Sequence, residues 1–202
     1  MNVSCAGLAS EQGNLFPSAP ELPEGFAYRE NLISEAEEQA LLKRFGALRL
    51  EPYEFRGYFA KRRVVSFGWH YQWSGRKLQA ADPIPEFLLP LRARAAQFAG
   101  VEAEGLQQML VNEYDSSAGI GWHRDRPMYD DIVVISLGAA CVLRLRREHG
   151  GGWKRTSQCL RGRSGYLLRG PARRDWEHSI PSVPGLRYSV TFRNFVAGFS
   201  PS

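Results

Sequence analysis

RYSVTFR, residues 187–193, alternates polar and apolar side chains with a period of two. Successive side chains of a β-strand point to opposite faces, so this alternation predicts a strand with one polar and one apolar face. Arg187 and Arg193 share the polar face with Ser189 and Thr191. Planar guanidinium groups bind carboxylates through two parallel hydrogen bonds, which indicates a site for a dicarboxylate. The alternative is a pair of surface arginines on an edge strand.

The same period of two recurs over most of the C-terminal half of the chain. From Gln107 onward, Leu110, Asn112 and Tyr114 would share one face of a strand. Gly-rich and Pro-rich breaks at 150–152 and 181–185 separate the segments, and the first of these predicts a hairpin tip. Further strands are predicted at 132–137, 141–146, 165–168, 176–180 and 187–195.

Two helices are predicted before these strands. Ser34 and Glu37 have the spacing of a capping box, in which a hydroxyl and a carboxylate satisfy free backbone amides at a helix start. A second helix is predicted from near Pro85, with apolar residues at helical spacing between Phe87 and Phe98. Helices followed by many short strands indicate an α+β chain dominated by β structure, a jelly roll backed by N-terminal helices. We expect an arm at 1–28, extended or poorly ordered, and one domain at 29–202.

Composition is that of an ordinary globular protein, with 202 residues, 44% hydrophobic and 23% charged. No apolar stretch approaches the roughly 20 residues of a membrane helix. No signal peptide is evident at the N-terminus. The cysteines at 5, 141 and 159 are odd in number and widely spaced, which favours free thiols in a reducing compartment. We therefore expect a cytoplasmic protein without membrane segments, and a monomer by default.

Positive charge is concentrated in one part of the chain. The net charge is +5, and residues 144–174 contain ten Lys or Arg residues but one acid, Glu148. Such clustering attracts polyanions and steers their approach. The alternative is a solvated basic face without a specific partner.

Two histidines and an aspartate form a candidate metal site. In the triplet His123-Arg124-Asp125, the first and third side chains share a face at a strand end. His178 lies on a distant strand that would meet this one across a jelly roll. Two imidazoles and one carboxylate are the ligands by which non-haem iron(II) oxygenases hold their metal with open positions.

A segment upstream interleaves basic and aromatic residues. Arg62 and Arg63 precede Trp69, Tyr71 and Trp73, and these three rings would share one face if the segment is extended. Base–aromatic stacking contributes about 1–3 kcal/mol per base, so the segment is a candidate nucleic-acid contact. The alternative is an aromatic row packed into the core.

These motifs together resemble the AlkB-type iron(II)/2-oxoglutarate dioxygenases. The likeness runs from about Gln107 to Phe195 and rests on 111–114 (VNEY), 121–125 (GWHRD), His178 and 187–193. It implies a double-stranded β-helix core, with His123, Asp125 and His178 as ligands of Fe(II). It also implies that Arg187 binds the distal carboxylate of 2-oxoglutarate, and that Arg193, Asn112 and Tyr114 complete that pocket.

The activity that the resemblance implies is oxidative demethylation of alkylated bases in DNA or RNA, with 2-oxoglutarate and O2 as co-substrates. One departure concerns base recognition. In the family's best-known DNA-repair members, an acidic residue two places after the metal aspartate helps to recognise the exocyclic group of the methylated base, and here that place holds Pro127. Either Asp130 or Asp131 takes that role, or the base is recognised differently.

Two other functions are compatible with these residues. The same chemistry can act on a protein side chain, a modified tRNA or a small molecule, and Pro127 keeps that alternative open. A non-catalytic jelly-roll binding module is the third. It is disfavoured because structural zinc uses four closed protein ligands and the chain offers three.

Overall fold

The computed structural model describes Cys5 and residues 21–55, 57–72 and 77–201. Its helices are α1 (Glu35–Phe45), α2 (Leu89–Ala99) and α3 (Gly170–Arg174). Its first five strands are β1 (Phe26–Arg29), β2 (Glu51–Phe55), β3 (Tyr58–Phe67), β4 (Trp69–Gln72) and β5 (Lys77–Ala80). The remaining strands are β6 (Gln108–Tyr114), β7 (Ile120–His123), β8 (Tyr129–Gly138), β9 (Cys141–His149), β10 (Gly152–Leu160), β11 (Gly165–Leu168), β12 (Glu177–Ile180) and β13 (Arg187–Phe195).

Two antiparallel sheets form the body of the domain. The larger has the order β1-β11-β8-β13-β6-β3-β2, and the smaller has the order β10-β9-β12-β7. From β6 onward the chain passes repeatedly between the two sheets. The apolar side chains between the sheets include Ile132 and Val134 of β8 and Leu143 and Leu145 of β9. This is a jelly roll, and the predicted fold class is confirmed.

Helices α1 and α2 cover the outer face of the larger sheet. Val133 and Ile135 of β8 point into a second core, where they join Phe45 of α1 and Ala95 of α2. Strand β8 is therefore apolar on both faces, which explains its continuous apolar run. Within the described part of the chain, no helix is long and apolar enough to cross a membrane.

The two predicted helices are confirmed, with one adjustment. Ser34 and Glu37 form a complete capping box at the start of α1. A 3-10 turn at Glu86–Leu88 precedes α2, whose first turn contains Pro90. Proline lacks an amide hydrogen and is tolerated there, because first-turn amides have no intrahelical acceptor.

The predicted start of the domain is too late. Strand β1 pairs with β11, so Phe26 to Tyr28 belong to the larger sheet rather than to an arm. A four-residue strand has too little alternation to be recognised without its partner. The remainder of the predicted arm, apart from Cys5 and residues 21–25, lies outside the described residues.

The prediction of free thiols is wrong for two of the three cysteines. Cys5 and Cys159 form a disulfide across 154 residues of sequence, with Cα atoms 5.4 Å apart, whereas Cys141 is buried and free. Spacing along the chain does not report distance in an antiparallel fold. Because disulfides are rare in reducing compartments, the cysteines no longer support a cytoplasmic location.

Candidate active site

A cavity of about 100 Å3 lies between the two sheets. Side chains of the larger sheet line one side of it, and β7 and β12 of the smaller sheet line the other. All three predicted metal ligands border it. Its polar lining includes Asn112, Tyr114, His123, Asp125, His178, Ser189, Thr191 and Arg193.

The two predicted histidine ligands face each other on neighbouring strands. His178 of β12 is the register partner of His123 of β7, and their ring centroids are 4.2 Å apart. Nδ1 of His123 lies 2.8 Å from the carbonyl oxygen of Gly121. A carbonyl oxygen only accepts, so Nδ1 carries the proton and Nε2 keeps the lone pair that can bind a metal.

Two of the predicted ligands, His178 and Asp125, have protonation states that suit metal binding. Burial lowers the pKa of His178 to about 3, with a further contribution from the neighbouring His123, so the imidazole is neutral. Burial alone would raise the pKa of Asp125. The guanidinium of Arg193 and the two imidazoles outweigh that effect and hold the pKa below its usual value. Neutral imidazole and ionised carboxylate are the forms that bind iron.

The donor set fits iron(II), but its atoms are not yet gathered around one point. Among the described residues, no three His, Cys, Asp or Glu side chains converge as a ready metal site. Oδ1 of Asp125 instead lies 3.3 Å from Nη2 of Arg193. Two imidazoles and a carboxylate on one wall are nevertheless the ligand chemistry of non-haem iron(II).

Arg187 is a fully buried arginine without a full set of partners. Nη2 donates to Oγ of Ser136 at 2.9 Å, and the guanidinium carbon lies 4.8 Å from the ring centroid of Tyr114. Nε and Nη1 have no hydrogen-bond partner among the described residues. Leaving a buried charged donor unpaired is costly, so this group fits an anionic ligand. Its guanidinium does not border the cavity directly; Tyr114, its register partner, does.

The other predicted co-substrate residues are interlinked. Arg193 donates through Nη1 to Oε1 of Gln108 at 2.6 Å, in addition to its contact with Asp125. Asn112 accepts through Oδ1 from Nη1 of Arg62 at 2.5 Å. Arg193 contacts Asp125, a predicted metal ligand, and Asn112 contacts Arg62. A keto acid bound by Arg193 and Asn112 would therefore change the hydrogen bonding of both Asp125 and Arg62.

A second cavity, of about 420 Å3, lies outside the first and shares part of its wall. Both cavities are bordered by Tyr53, Arg62, Leu110, Ile120, His123, Asp125 and Arg193. Aromatic rings of Tyr71, Trp122 and Tyr129 line the outer one. Its size is suitable for a planar base.

The structure places only some of the residues predicted to contact substrate at the outer cavity. Arg62 and Tyr71 line the outer cavity. Trp69 does not, and instead packs edge-on against Phe195, with ring centroids 6.3 Å apart. Nη2 of Arg63 lies 2.6 Å from Oε1 of Glu113. Neither Arg63 nor Glu113 borders either cavity. Trp73 lies outside the described residues.

Neither aspartate suggested as a replacement at position 127 borders the outer cavity. Asp131 is buried and forms a bidentate ion pair with Arg169. Among the described residues that line the outer cavity, the single carboxylate is Asp125. The suggested substitution by Asp130 or Asp131 is therefore wrong.

The outer surface of the smaller sheet carries stacked arginines and tryptophans. The guanidinium carbon of Arg146 lies 4.4 Å from the ring centroid of Trp122 and 4.0 Å from that of Trp153, and Arg146 also pairs with Glu177. We call this surface the arginine–tryptophan face; it comprises Trp122, Arg124, Arg144, Arg146, Trp153 and Arg155. Trp122 and Arg124 also border the outer cavity, so the face is continuous with its mouth.

Several site residues were not predicted from the sequence. Tyr53 comes from β2, a strand whose proline and charged residues obscure its pattern. Ser136 interrupts the apolar run of β8, which is a signal that sequence reasoning can use. Arg173 is buried in α3, where it donates to the carbonyls of Arg126 and Tyr129 near Asp125, a predicted metal ligand. No sequence pattern marked it.

Comparison with known proteins agrees with this geometry. A family model described as the 2OG-Fe(II) oxygenase superfamily matches residues 26–193. The chain is 30% identical over 192 residues to an Arabidopsis thaliana protein named "Alkylated DNA repair protein ALKBH8 homolog", covering 83% of this chain and 54% of that one. It is 28% identical over 127 residues to a Danio rerio protein named "Probable RNA/DNA demethylase ALKBH6", covering 61% of this chain and 50% of that one.

The fold is also found among solved structures. One titled "The structure of OsALKBH1" superposes with a TM-score of 0.68, covering 87% of this chain and 100% of that one, at 17% identity. The chain spans about half the length of the two curated relatives. The family match covers most of the domain and includes each residue of the predicted metal and co-substrate sites. This chain belongs to the 2OG-Fe(II) oxygenase superfamily, and the relatives that it resembles carry ALKBH names.

Proposed function

We propose that this dioxygenase removes methyl groups from alkylated bases of DNA or RNA. The observation that carries the proposal is the shared wall of the two cavities. The outer cavity has room for a base and aromatic rings to hold it, and it reaches His123 and Asp125. A methyl group on that base would point toward the predicted metal position.

His123, Asp125 and His178 would hold the iron, and the carboxylates of 2-oxoglutarate would pair with Arg187 and Arg193. When bound, the iron together with 2-oxoglutarate and dioxygen supplies the chemistry that hydroxylates a C–H bond, while 2-oxoglutarate becomes succinate and carbon dioxide. The hydroxymethyl group then leaves as formaldehyde, and its hydroxyl proton remains on the ring nitrogen. Each methyl removed thus consumes one 2-oxoglutarate and one dioxygen.

The protein's own contribution is positioning and shielding. Leu110 and Ile120 form apolar wall common to both cavities, which limits the access of water to the reacting groups. Tyr71 offers a stacking surface for a base taken out of its strand. Extracting that base costs a few kcal/mol in a duplex and less in a single strand, so we expect single-stranded substrates to react faster.

Nucleic acid as the partner is supported by charge and by relatives. The arginine–tryptophan face offers guanidinium groups for phosphates and rings for bases, directly beside the cavity mouth. The plant and fish relatives are named for alkylated-DNA repair and for RNA/DNA demethylation. An aliphatic or peptide substrate lacks the phosphates and bases that such a face would bind.

The test is mass spectrometry of single-stranded oligonucleotides that carry one methylated base. The protein is incubated with iron(II), 2-oxoglutarate and air, and methyl loss and succinate are measured together. The panel contains 1-methyladenine, 3-methylcytosine and 3-methyluracil, and His123→Ala is the control. Methyl loss that this variant abolishes supports the proposal. Succinate formation without methyl loss from any base would overturn the assignment of nucleic acid as substrate.

A further inference from the structure

Arg62 is a buried cation that lacks a carboxylate partner in the part of the chain that the structure describes. Its side chain is on β3, and the residue is 6% exposed. Nη1 donates to the amide oxygen of Asn112, and the guanidinium lies over Tyr53, with its carbon 3.7 Å from the ring centroid. Among the described residues it has no ion pair and no second hydrogen bond. A buried charge is unfavourable unless something compensates it, and Asn112 and Tyr53 do so only in part.

Arg62 borders both cavities, so its remaining donors are available to a ligand there. Guanidinium N–H groups donate and never accept. The complementary ligand group is therefore an acceptor, such as a carbonyl oxygen or an anion. A ligand that presents an amino group or a positive charge would be repelled.

The other charged groups around the outer cavity act in the same direction. Arg124 and Arg126 also line it, and Arg126 lies over Tyr71, 3.9 Å from the ring centroid. Nη2 of Arg124 lies 3.9 Å from Oε1 of Glu177, which is a long contact on the outer surface. The lining carboxylate of Asp125 is already shared with Arg193 and is a predicted metal ligand. No lining carboxylate is thus left, in the described part of the chain, to balance a cationic base.

We infer that the outer cavity selects neutral bases with a carbonyl edge, such as 3-methyluracil, and rejects positively charged bases such as 3-methylcytosine and 1-methyladenine. Arg62 is the specificity-determining residue, because it would donate to the carbonyl oxygen of the correct base. Pro127 fits this selection, since a proline side chain offers nothing to an exocyclic amino group or to a positive charge. The inference rests on the proposed function and names its substrate class.

The closing experiment compares two oligonucleotides of identical sequence. One carries 3-methyluracil and the other 3-methylcytosine, so the methyl group is on the same ring nitrogen. The two bases differ in charge and in a carbonyl oxygen that replaces an amino group. Binding is measured by fluorescence anisotropy without iron, against the unmodified oligonucleotides, and methyl loss is measured by mass spectrometry with the complete enzyme.

Wild-type protein should bind and demethylate the 3-methyluracil strand about tenfold better or more, a modest figure for excluding a like charge from a cavity. Arg62→Met should reduce the preference to about threefold or less, and Arg62→Lys, which keeps the charge, should retain most of it. Arg63→Met is the matched control. The neighbouring Arg63 pairs with Glu113 and borders neither cavity, so the preference should be unchanged. Melting temperatures show whether each variant is folded.

The outcomes separate this inference from the proposed function. Equal binding and equal demethylation of both strands would overturn the inference and leave nucleic-acid demethylation standing. A preference that survives in Arg62→Met would overturn the role of Arg62. Absence of methyl loss from both strands would overturn the proposed function, and the binding ratio would then still decide whether the cavity selects by charge.

Discussion

The inner and outer cavities share a wall but are built in different ways. The inner one is lined mainly by paired strands of both sheets, where register brings His178 opposite His123 and Arg187 opposite Tyr114. The outer one is bounded in large part by β2, β3, β4 and the loop that follows β7. Ladder hydrogen bonds hold the groups of the inner cavity in register, whereas loops and edge strands tolerate change. We therefore expect the chemistry to take place in the inner, constrained region and the substrate to be selected in the outer one.

The two cavities also differ in how far their polar groups are satisfied. Around the inner cavity, Arg187 and Arg193 retain buried nitrogens without partners among the described residues. Around the outer cavity, Arg124 and Arg126 have ionic or aromatic contacts. The guanidinium of Arg187 lies beside Tyr114, which borders the inner cavity alone, so its unpaired nitrogens fit an anionic ligand on that side, whereas Arg193 borders both cavities.

The largest expected effect is that of removing a predicted metal ligand. His178→Ala should reduce succinate formation more than about 100-fold, since loss of partners one shell further out already costs 10–100-fold. Oligonucleotide binding should change little, because His178 borders the inner cavity and not the outer one. Iron content by atomic absorption and binding by anisotropy measure the two effects. Equal loss of both would contradict the separation of the cavities.

Arg187→Met should raise the KM for 2-oxoglutarate about 100-fold, since charge-assisted hydrogen bonds contribute about 1.5–3 kcal/mol each. Without 2-oxoglutarate the melting temperature should not fall, because the substitution removes an incompletely paired buried charge. Addition of 2-oxoglutarate should stabilise the wild type alone. Calorimetry and steady-state kinetics provide the measurements. A strongly destabilised variant would indicate that Arg187 serves the fold rather than the co-substrate.

In the outer cavity, Tyr71→Ala and Trp69→Ala form a matched pair on one strand. Tyr71 lines the cavity, so its loss should weaken binding of a methylated oligonucleotide by about 1–3 kcal/mol, the contribution of one stacked base. Trp69 packs on Phe195 outside the cavity, so its loss should lower the melting temperature instead. The pair of measurements is anisotropy and thermal unfolding. If Trp69→Ala weakened binding and Tyr71→Ala lowered the melting temperature instead, Trp69 rather than Tyr71 would be the residue that stacks on the base.

The smallest expected effect concerns the arginine–tryptophan face. Arg144→Ala combined with Arg155→Ala should reduce the slope of log K against log salt for single strands by about 1.4, if each arginine contacts one phosphate. Lys43→Ala serves as a control, because Lys43 is exposed on α1, which covers the far side of the larger sheet. The turnover of a free methylated nucleoside should be unchanged. An unaltered salt slope would remove this face from the proposed substrate path.

Prediction from sequence succeeded where a residue's position on a strand determined its direction. The alternation at 187–193 placed Ser189, Thr191 and Arg193 on one face, and all three line the inner cavity. It failed where direction depended on a partner strand. Trp69 and Tyr71 were predicted to share a face, but Trp69 packs against Phe195 whereas Tyr71 lines the outer cavity. The sequence suggested that Asp131, close to the predicted metal triplet, could contact a base, but Asp131 forms an ion pair with Arg169.

The sequence by itself determined the strand periodicity, the capped helix and the family, and it predicted the metal and co-substrate residues, because all of these depend on local spacing and residue chemistry. Only the tertiary structure showed that Arg62 is buried without a carboxylate, that Arg63 is directed elsewhere, and that Cys5 reaches Cys159. Such facts depend on contacts between segments far apart in the chain. Burial, charge balance and pairing are properties of those contacts, and no local pattern encodes them.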